Sequence, residues 1–516
     1  MESCHRAALT GLGARNGSEA MIERASKPDW FVLDRAAATP LFAVPGIQTD
    51  HGSTERFLVH RSHLALLEAP KVLLTDVLPH EWEQRDRETE PLGFKLKNVQ
   101  HQAVDFIRKR RGTLLGDEMR VGKSLAAAFS HEPERGKLVV IAPLMVREVW
   151  LSWLRRIWPY VEIGVMVGKK YDPEQAKRMI VFGHYDVLYE WQSGDRIGTL
   201  ILDEAHQLTN RNARRSLAAV MLANQADRVI AATGTPIWNL PMGLWNVLAL
   251  VAPGAFGGYH DFCQRYAAPE PTPYGTRYTG ISNGEELSVR LSEVMIRRRW
   301  VDVQKDLPPI TRNVVMVDLS LSDRRKLDLR AESLRKSEKT NTAAELARYR
   351  EALSHLKMGA TITEAETCMR LGEPVVVWCW HRETADQLVE QLVTGGSEAF
   401  TLHGEVPVHR REKLIDQWRA APNAALVVTM SVAQVGIDLS HARRAIFAEI
   451  DYTPAMISQA EMRTFTPDHA MNVSYVVADH FADRKIIQAL TRKLDASEPV
   501  SLGTGEGAIS SIDRAL

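Results

Sequence analysis

Two short stretches carry residue types whose spacing can do chemistry. The first is Gly116-Asp117-Glu118-Met119-Arg120-Val121-Gly122-Lys123-Ser124, which follows the apolar approach Thr113-Leu114-Leu115 and leads into the helix-forming run Leu125-Ala126-Ala127-Ala128-Phe129. Strand, glycine-bearing loop, Gly-Lys-Ser and helix is a physical recipe for holding a nucleoside triphosphate. Backbone N–H groups and the helix N-terminus cradle phosphates. Lys123 would reach the β- and γ-phosphates, and the Ser124 hydroxyl would ligate Mg²⁺. The second stretch is Asp203-Glu204, two carboxylates closing the apolar run Thr199-Leu200-Ile201-Leu202. Burying charge without a partner is costly, so this placement asks for a ligand. Asp203 can hold Mg²⁺ through its water shell, and Glu204 can polarise an attacking water. Upstream of the loop stands Gln100, whose amide has one acceptor and two donors, enough to read the Hoogsteen edge of adenine.

These groups need elements that hold them at one edge of a sheet. The apolar runs Lys137-Leu138-Val139-Val140-Ile141, Met179-Ile180-Val181-Phe182-Gly183, Thr199 to Leu202 and Arg228-Val229-Ile230-Ala231-Ala232 read as strands, and Val149 to Trp158 reads as an amphipathic helix. Buried apolar strands alternating with helices predict a parallel sheet covered on both faces. The chemical residues then stand at strand C-terminal ends, where open α/β sheets place ligands. The second half repeats the design with strands at Pro374 to Trp378, Ala424 to Thr429, Arg444 to Ala448 and Val473 to Val477. Between the halves, Asp323 to Met358 is rich in Lys, Arg, Glu, Ala and Leu and reads as helical.

At 516 residues, 45% hydrophobic and 25% charged, the chain has ordinary globular composition. The formal net charge is +0, so any nucleic-acid contact must come from local basic surface. Candidate clusters are Arg108-Lys109-Arg110-Arg111, Arg297-Arg298-Arg299, Arg324-Arg325-Lys326 and Arg410-Arg411. Cys4, Cys263, Cys368 and Cys379 form no C-x-x-C pair, which argues against zinc and for a reducing compartment. No apolar run approaches the length of a membrane span, and residues Met1 to Lys27 lack the pattern of a signal peptide. The expectation is a soluble, cytoplasmic protein with no membrane and no zinc.

Further ordered words join the first two. They are Ala142-Pro143-Leu144, Asp203-Glu204-Ala205-His206, Thr233-Gly234-Thr235-Pro236-Ile237-Trp238-Asn239, Ile296-Arg297-Arg298-Arg299 with Leu307-Pro308-Pro309, and Leu402-His403-Gly404 with Arg411. Val435-Gly436-Ile437-Asp438-Leu439, Tyr452-Thr453-Pro454 and Gln459-Ala460-Glu461-Met462-Arg463 complete the set. Over roughly residues 90 to 496, this set resembles the Swi/Snf-type branch of the superfamily-two DEAD/DEAH-box helicases, the branch of the chromatin remodellers. Ala448-Glu449 and Gln459-Ala460-Glu461 point to its annealing-helicase group. The compact size, by analogy, points to a bacterial or phage type.

The resemblance implies an α/β fold with two RecA-like parallel-sheet lobes in tandem and ATP in the cleft between them. Glu204 would be the catalytic carboxylate, with Lys123 and Arg463 assisting. Gln100, Gly116 to Ser124 (Asp117, Glu118, Met119, Arg120, Val121 and Gly122 included), Gly436 and Asp438 would bind nucleotide. Ser124 and Asp203 would hold Mg²⁺. Pro143, Leu144, Thr233, Gly234, Thr235, His403, Gly404 and Arg411 would contact nucleic acid or couple it to ATP. The expected division is an N-terminal module at residues 1–90, a first lobe at 91–318, a second at 319–496 and a loose tail at 497–516. The expected activity is a DNA-dependent ATPase that translocates along double-stranded DNA. A strand-separating helicase on DNA or RNA and an ATP-responsive DNA clamp with weak hydrolysis are the alternatives. The chain departs from the resemblance twice. Arg120 and Val121 stand where the loop usually has small residues, and Thr466 stands where a second arginine, commonly the arginine finger, should be. Arg463 alone, or a neighbour such as Arg443 or Arg444, would then supply the charge, or hydrolysis would be weak.

Overall fold

A computed structural model describes residues 22–24, 29–34, 38, 41, 44–49, 56–64, 66, 79–166, 168, 170–191, 195–237, 241–273, 275–304, 308–335, 342–421, 423–433, 437–451, 453–480, 483, 484 and 486–488. The chain divides into two compact units, one up to Val303 and one from Gln304 to Asp495.

The first unit is built on a seven-stranded sheet. Its strands are β5 (Gly112–Leu115), β6 (Lys137–Ile141), β7 (Ile163–Val165), β8 (Ile180–Gly183), β9 (Ile197–Asp203), β10 (Ala226–Ala232) and β13 (Met295–Ile296), in the order β13-β5-β10-β9-β6-β8-β7. Every pairing is parallel. Successive side chains of a strand point to opposite faces, and here both faces are apolar. Leu114, Val139, Ile141, Leu200, Leu202, Val229 and Ala231 enter one core, while Leu115, Leu138, Val140, Ile201, Ile230 and Ala232 enter the other. That is why these strands read as continuous apolar runs rather than alternating ones.

Residues 1–90 contribute a four-stranded antiparallel sheet of β1 (Ile22–Arg24), β2 (Trp30–Asp34), β3 (Gln48–Thr49) and β4 (Arg56–His60), in the order β1-β2-β4-β3. It is joined to the first unit by packing and by polar contacts. Trp30 is 2% exposed and sits in the core cluster that holds Val251 and Ala252. Arg61 reaches Asp29 at 3.2 Å and Glu293 at 3.0 Å. The Arg290 guanidinium, fully buried, donates to the carbonyls of Pro45 at 3.0 Å and Ala255 at 2.5 Å. A short exposed hairpin, β11 (Pro269–Thr272) with β12 (Gly275–Tyr278), completes the unit.

The second unit carries a six-stranded sheet of β14 (Ile310–Val317), β15 (Val375–Cys379), β16 (Ala399–Leu402), β17 (Ala425–Thr429), β18 (Arg444–Phe447) and β19 (Met471–Ala478), in the order β14-β19-β18-β15-β17-β16. All of its pairings are parallel as well. The fold is therefore two RecA-like α/β lobes. β14 lies on the far side of the boundary expected at residue 318, because its whole length pairs with β19. The helical stretch expected between the halves is two helices, Leu321–Arg335 and Thr342–Arg370.

Candidate functional site

The loop from Gly116 to Gly122 leaves the C-terminal end of β5 and enters the helix Lys123–Phe129. Gly122 caps that helix at φ 108°, in the left-handed region, and a Cβ there would lie 2.3 Å from Gln100 Nε2. Only glycine meets both demands. Gln100 donates from Nε2 to the Gly122 carbonyl at 3.3 Å and accepts from the Lys97 N–H at 2.8 Å. The amide expected to read adenine is thus bonded to the phosphate loop. Lys123 Nζ donates to the Asp117 and Glu118 carbonyls at 2.8 and 3.1 Å.

The loop's own side chains mostly turn inward. Asp117, Met119 and Val121 are buried, and Arg120 adopts φ 67°. Their contribution to a ligand would come from the backbone. Asp117 forms a bidentate ion pair with Arg298, whose backbone N–H also donates to Asp117 Oδ1 at 2.9 Å. Burial pulls the neighbouring Arg297 guanidinium down to about 10.

The acid pair closes β9, two strands from β5 in the sheet. Asp203 is buried and accepts from Trp150 Nε1 at 2.7 Å and from the Glu204 N–H at 3.0 Å. The Tyr185 hydroxyl donates to the Asp203 carbonyl at 2.5 Å. Burial first, then the Glu204 charge, pushes the Asp203 carboxyl up to about 6. Glu204 sits at φ 52°, ψ 47°, a left-handed conformation that a non-glycine residue adopts at a cost. Between these strands β10 ends at Ala232 and delivers Thr233-Gly234-Thr235. A Cβ on Gly234 would come 2.8 Å from Met119 Cγ and 3.6 Å from Lys123 Nζ, so this segment runs close over the loop. His206 links the acids to it: Nδ1 lies 3.3 Å from Glu204 Oε2 and 3.2 Å from Thr233 Oγ1. Thr233 Oγ1 in turn accepts from the Thr235 N–H at 3.1 Å. Pro143 and Leu144 follow the end of β6, beside β9.

In the second unit Arg463 lies near the end of the helix Pro454–Thr464, 8% exposed, its Nε donating to the Ala433 carbonyl at 2.8 Å. Asp438 is exposed and accepts from the Ser440 N–H at 2.9 Å. It shares a cavity of about 1060 Å³ with Thr466, Arg419, His441, Arg443 and His469. Of the two arginines that could replace the one missing at 466, Arg443 lines this cavity and Arg444 pairs with Glu373. Arg411, expected near nucleic acid, is buried and donates to the carbonyls of Gly404 at 2.6 Å and Val406 at 2.7 Å. It shapes the turn that carries His403 and Gly404. Gly436, Trp238, Asn239, Leu307, Val435 and Tyr452 lie outside the described residues, as do the first 21 residues and 489–516.

The basic clusters are less available than their composition implies. Arg110 donates to the carbonyls of Glu293 and Phe106, and Arg111 to those of Ala223 and Ala226. Arg297 donates to the Gly116 carbonyl at 3.0 Å. Apart from Phe106, one helical turn before Arg110, their partners lie more than 100 residues away, so little local signal marks these arginines as structural. His206 was visible only as a letter of the Asp-Glu-Ala-His word; its contact with Thr233 depends on the adjacency of β9 and β10.

Two family models match the chain, and they meet inside the helix Thr342–Arg370 rather than at the break between the two units. The model for the SNF2-related domain matches residues 21–359, and that for the helicase conserved C-terminal domain matches residues 357–466. The chain belongs to the SNF2 family. Among its relatives is the SWI/SNF-related matrix-associated actin-dependent regulator of chromatin subfamily A-like protein 1 homolog of Caenorhabditis elegans, 27% identical over 80% of this chain and 62% of that protein. The SWI/SNF-related matrix-associated actin-dependent regulator of chromatin subfamily A-like protein 1 of Xenopus tropicalis is 28% identical over 78% of this chain and 44% of its own length. The DNA annealing helicase and endonuclease ZRANB3 of Mus musculus is 24% identical over 82% of this chain and 42% of that protein. The chain thus spans only part of the curated SNF2 relatives it matches. The solved Sulfolobus solfataricus SWI2/SNF2 ATPase core in complex with dsDNA aligns at 20% identity and a TM-score of 0.38, over 82% of this chain and 96% of that one.

Proposed function

We propose that this SNF2-family chain is a DNA-dependent ATPase that couples hydrolysis to movement along, or remodelling of, double-stranded DNA. One observation carries the reading. The Lys123-Ser124 loop, the Asp203-Glu204 pair and the Thr233-Gly234-Thr235 segment leave the C-terminal ends of β5, β9 and β10, three adjoining strands of one parallel sheet. His206 ties the last two together. In that arrangement Lys123 and the loop N–H groups hold the phosphates, and Glu204 orients the attacking water. Thr233 is placed to feel any change at Glu204.

The donor set fits a divalent cation. Asp203 and Glu204 meet where burial already raises the Asp203 carboxyl, and a cation beside them would offset that cost. Asp203 and Ser124 would hold Mg²⁺, which when bound neutralises phosphate charge. The choice of DNA rests on the family and on its ZRANB3 relatives, described as DNA annealing helicases. The test is the ATP turnover rate with no nucleic acid, single-stranded DNA, duplex DNA, forked DNA and RNA. Duplex and forked DNA should stimulate most. Stimulation by RNA alone, or none at all, would contradict the proposal.

A further inference from the structure

The phosphate loop holds no glycine between Gly116 and Gly122, and Arg120 is bent into the left-handed region. Its sequence therefore does little to favour the shape it adopts, and beyond the bonds from Lys123 to the Asp117 and Glu118 carbonyls that shape is held from outside. The segment 296–300 runs alongside and meets four successive loop residues. Gly116 N–H donates to the Ile296 carbonyl at 2.8 Å, and Glu118 N–H donates to the Arg298 carbonyl at 2.9 Å. The Asp117 carboxylate is clasped by Arg298. Trp300 donates from its N–H to Glu118 Oε2 at 2.7 Å and from its indole to the Met119 carbonyl at 2.9 Å. Arg298 also turns its remaining nitrogen to the Val99 carbonyl and, at 3.2 Å, to Gln102 Oε1. Both lie on the helix Asn98–Arg108, which presents Gln100 to Gly122 at the loop's other end.

We propose that Arg298 is a positioning residue for the nucleotide: it joins the phosphate loop to the Gln100 helix and sets the spacing of the N–H groups that receive the phosphates. The inference rests on reading the loop as a phosphate cradle. A bidentate guanidinium–carboxylate pair, here with the carboxylate buried and the guanidinium partly so, fixes direction as well as distance. A lysine keeps the charge at this place and loses the fork.

The test is equilibrium binding of a fluorescent ATP analogue to the full chain, alongside its melting temperature. Arg298→Ala should raise the Kd by on the order of tenfold, the size expected when the charge-assisted hydrogen bonds that orient a binding loop are lost. Arg298→Lys should fall between it and the parent. Arg61→Ala is the control: it breaks a similarly sheltered double ion pair with Asp29 and Glu293, away from the loop. It should lower the melting temperature and leave the Kd unchanged. If Arg298→Ala does not fold, the folded Arg298→Lys chain decides. Parental affinity in the folded Arg298 variants, or an equal loss in Arg61→Ala, would overturn the inference. A parent chain that binds no analogue would instead refute the cradle itself.

Discussion

His206 Nδ1 lies 3.2 Å from the Thr233 hydroxyl, across the gap between β9 and β10. The same nitrogen is 3.3 Å from Glu204 Oε2. One imidazole thus touches both the carboxylate that would orient water and the segment that runs over the phosphate loop.

If that contact transmits the state of one to the other, His206→Ala should lower DNA-stimulated ATP turnover by about tenfold. Basal turnover and ATP affinity should change far less. Titrating turnover against DNA concentration at saturating ATP measures it. Equal loss of basal and stimulated rates would make His206 a structural residue only.

The N-terminal module should not be separable from the first lobe. Trp30 is 2% exposed among the lobe's own core residues, and large-to-alanine changes of buried aromatics cost about 3–5 kcal/mol. Trp30→Ala should lower the unfolding midpoint of the lobe accordingly. A chain beginning at residue 79 should bare the same apolar surface and aggregate. Unchanged denaturation of Trp30→Ala would show the module to be an appendage.

Stability should fall on mild acidification, partly through His131. Burial, reinforced by the Arg228 charge, holds its pKa down at about 4, against about 6.5 in the unfolded chain. Because the unfolded state takes up the proton first, the stabilisation is complete above about pH 6.5 and is lost as pH falls towards 4. The difference is on the order of 3 kcal/mol. His131→Asn, which can keep a polar contact with Thr199, should flatten melting temperature against pH over that window. A variant with the parental slope would remove His131 from the account.

Much of this architecture is legible in the sequence. Runs such as Leu138 to Ile141 and Leu200 to Leu202 are apolar at every position because both faces of the sheet are covered. Their ends carry the Gly-Lys-Ser, Asp-Glu and Thr-Gly-Thr words, so the first unit's site could be read strand by strand. Long-range partners could not be read. Arg297 and Arg298 looked like basic surface, yet they serve Gly116 and Asp117 at a separation of 181 residues. Arg110 and Arg111 likewise bind carbonyls, and Arg411 binds the turn it was expected to lend to nucleic acid. Nor could the pattern place β14, whose pairing with β19 is decided by the whole sheet.

The measurement closest to the centre of the account is Glu204→Gln, assayed both for equilibrium binding of ATP and for single-turnover hydrolysis. The amide keeps the shape of the side chain and removes the charge that polarises water. ATP binding should be retained within a few-fold, and hydrolysis should fall by at least about 10². Equal loss of binding and hydrolysis, or hydrolysis at the parental rate, would contradict the assignment of Glu204 as the group that acts on water.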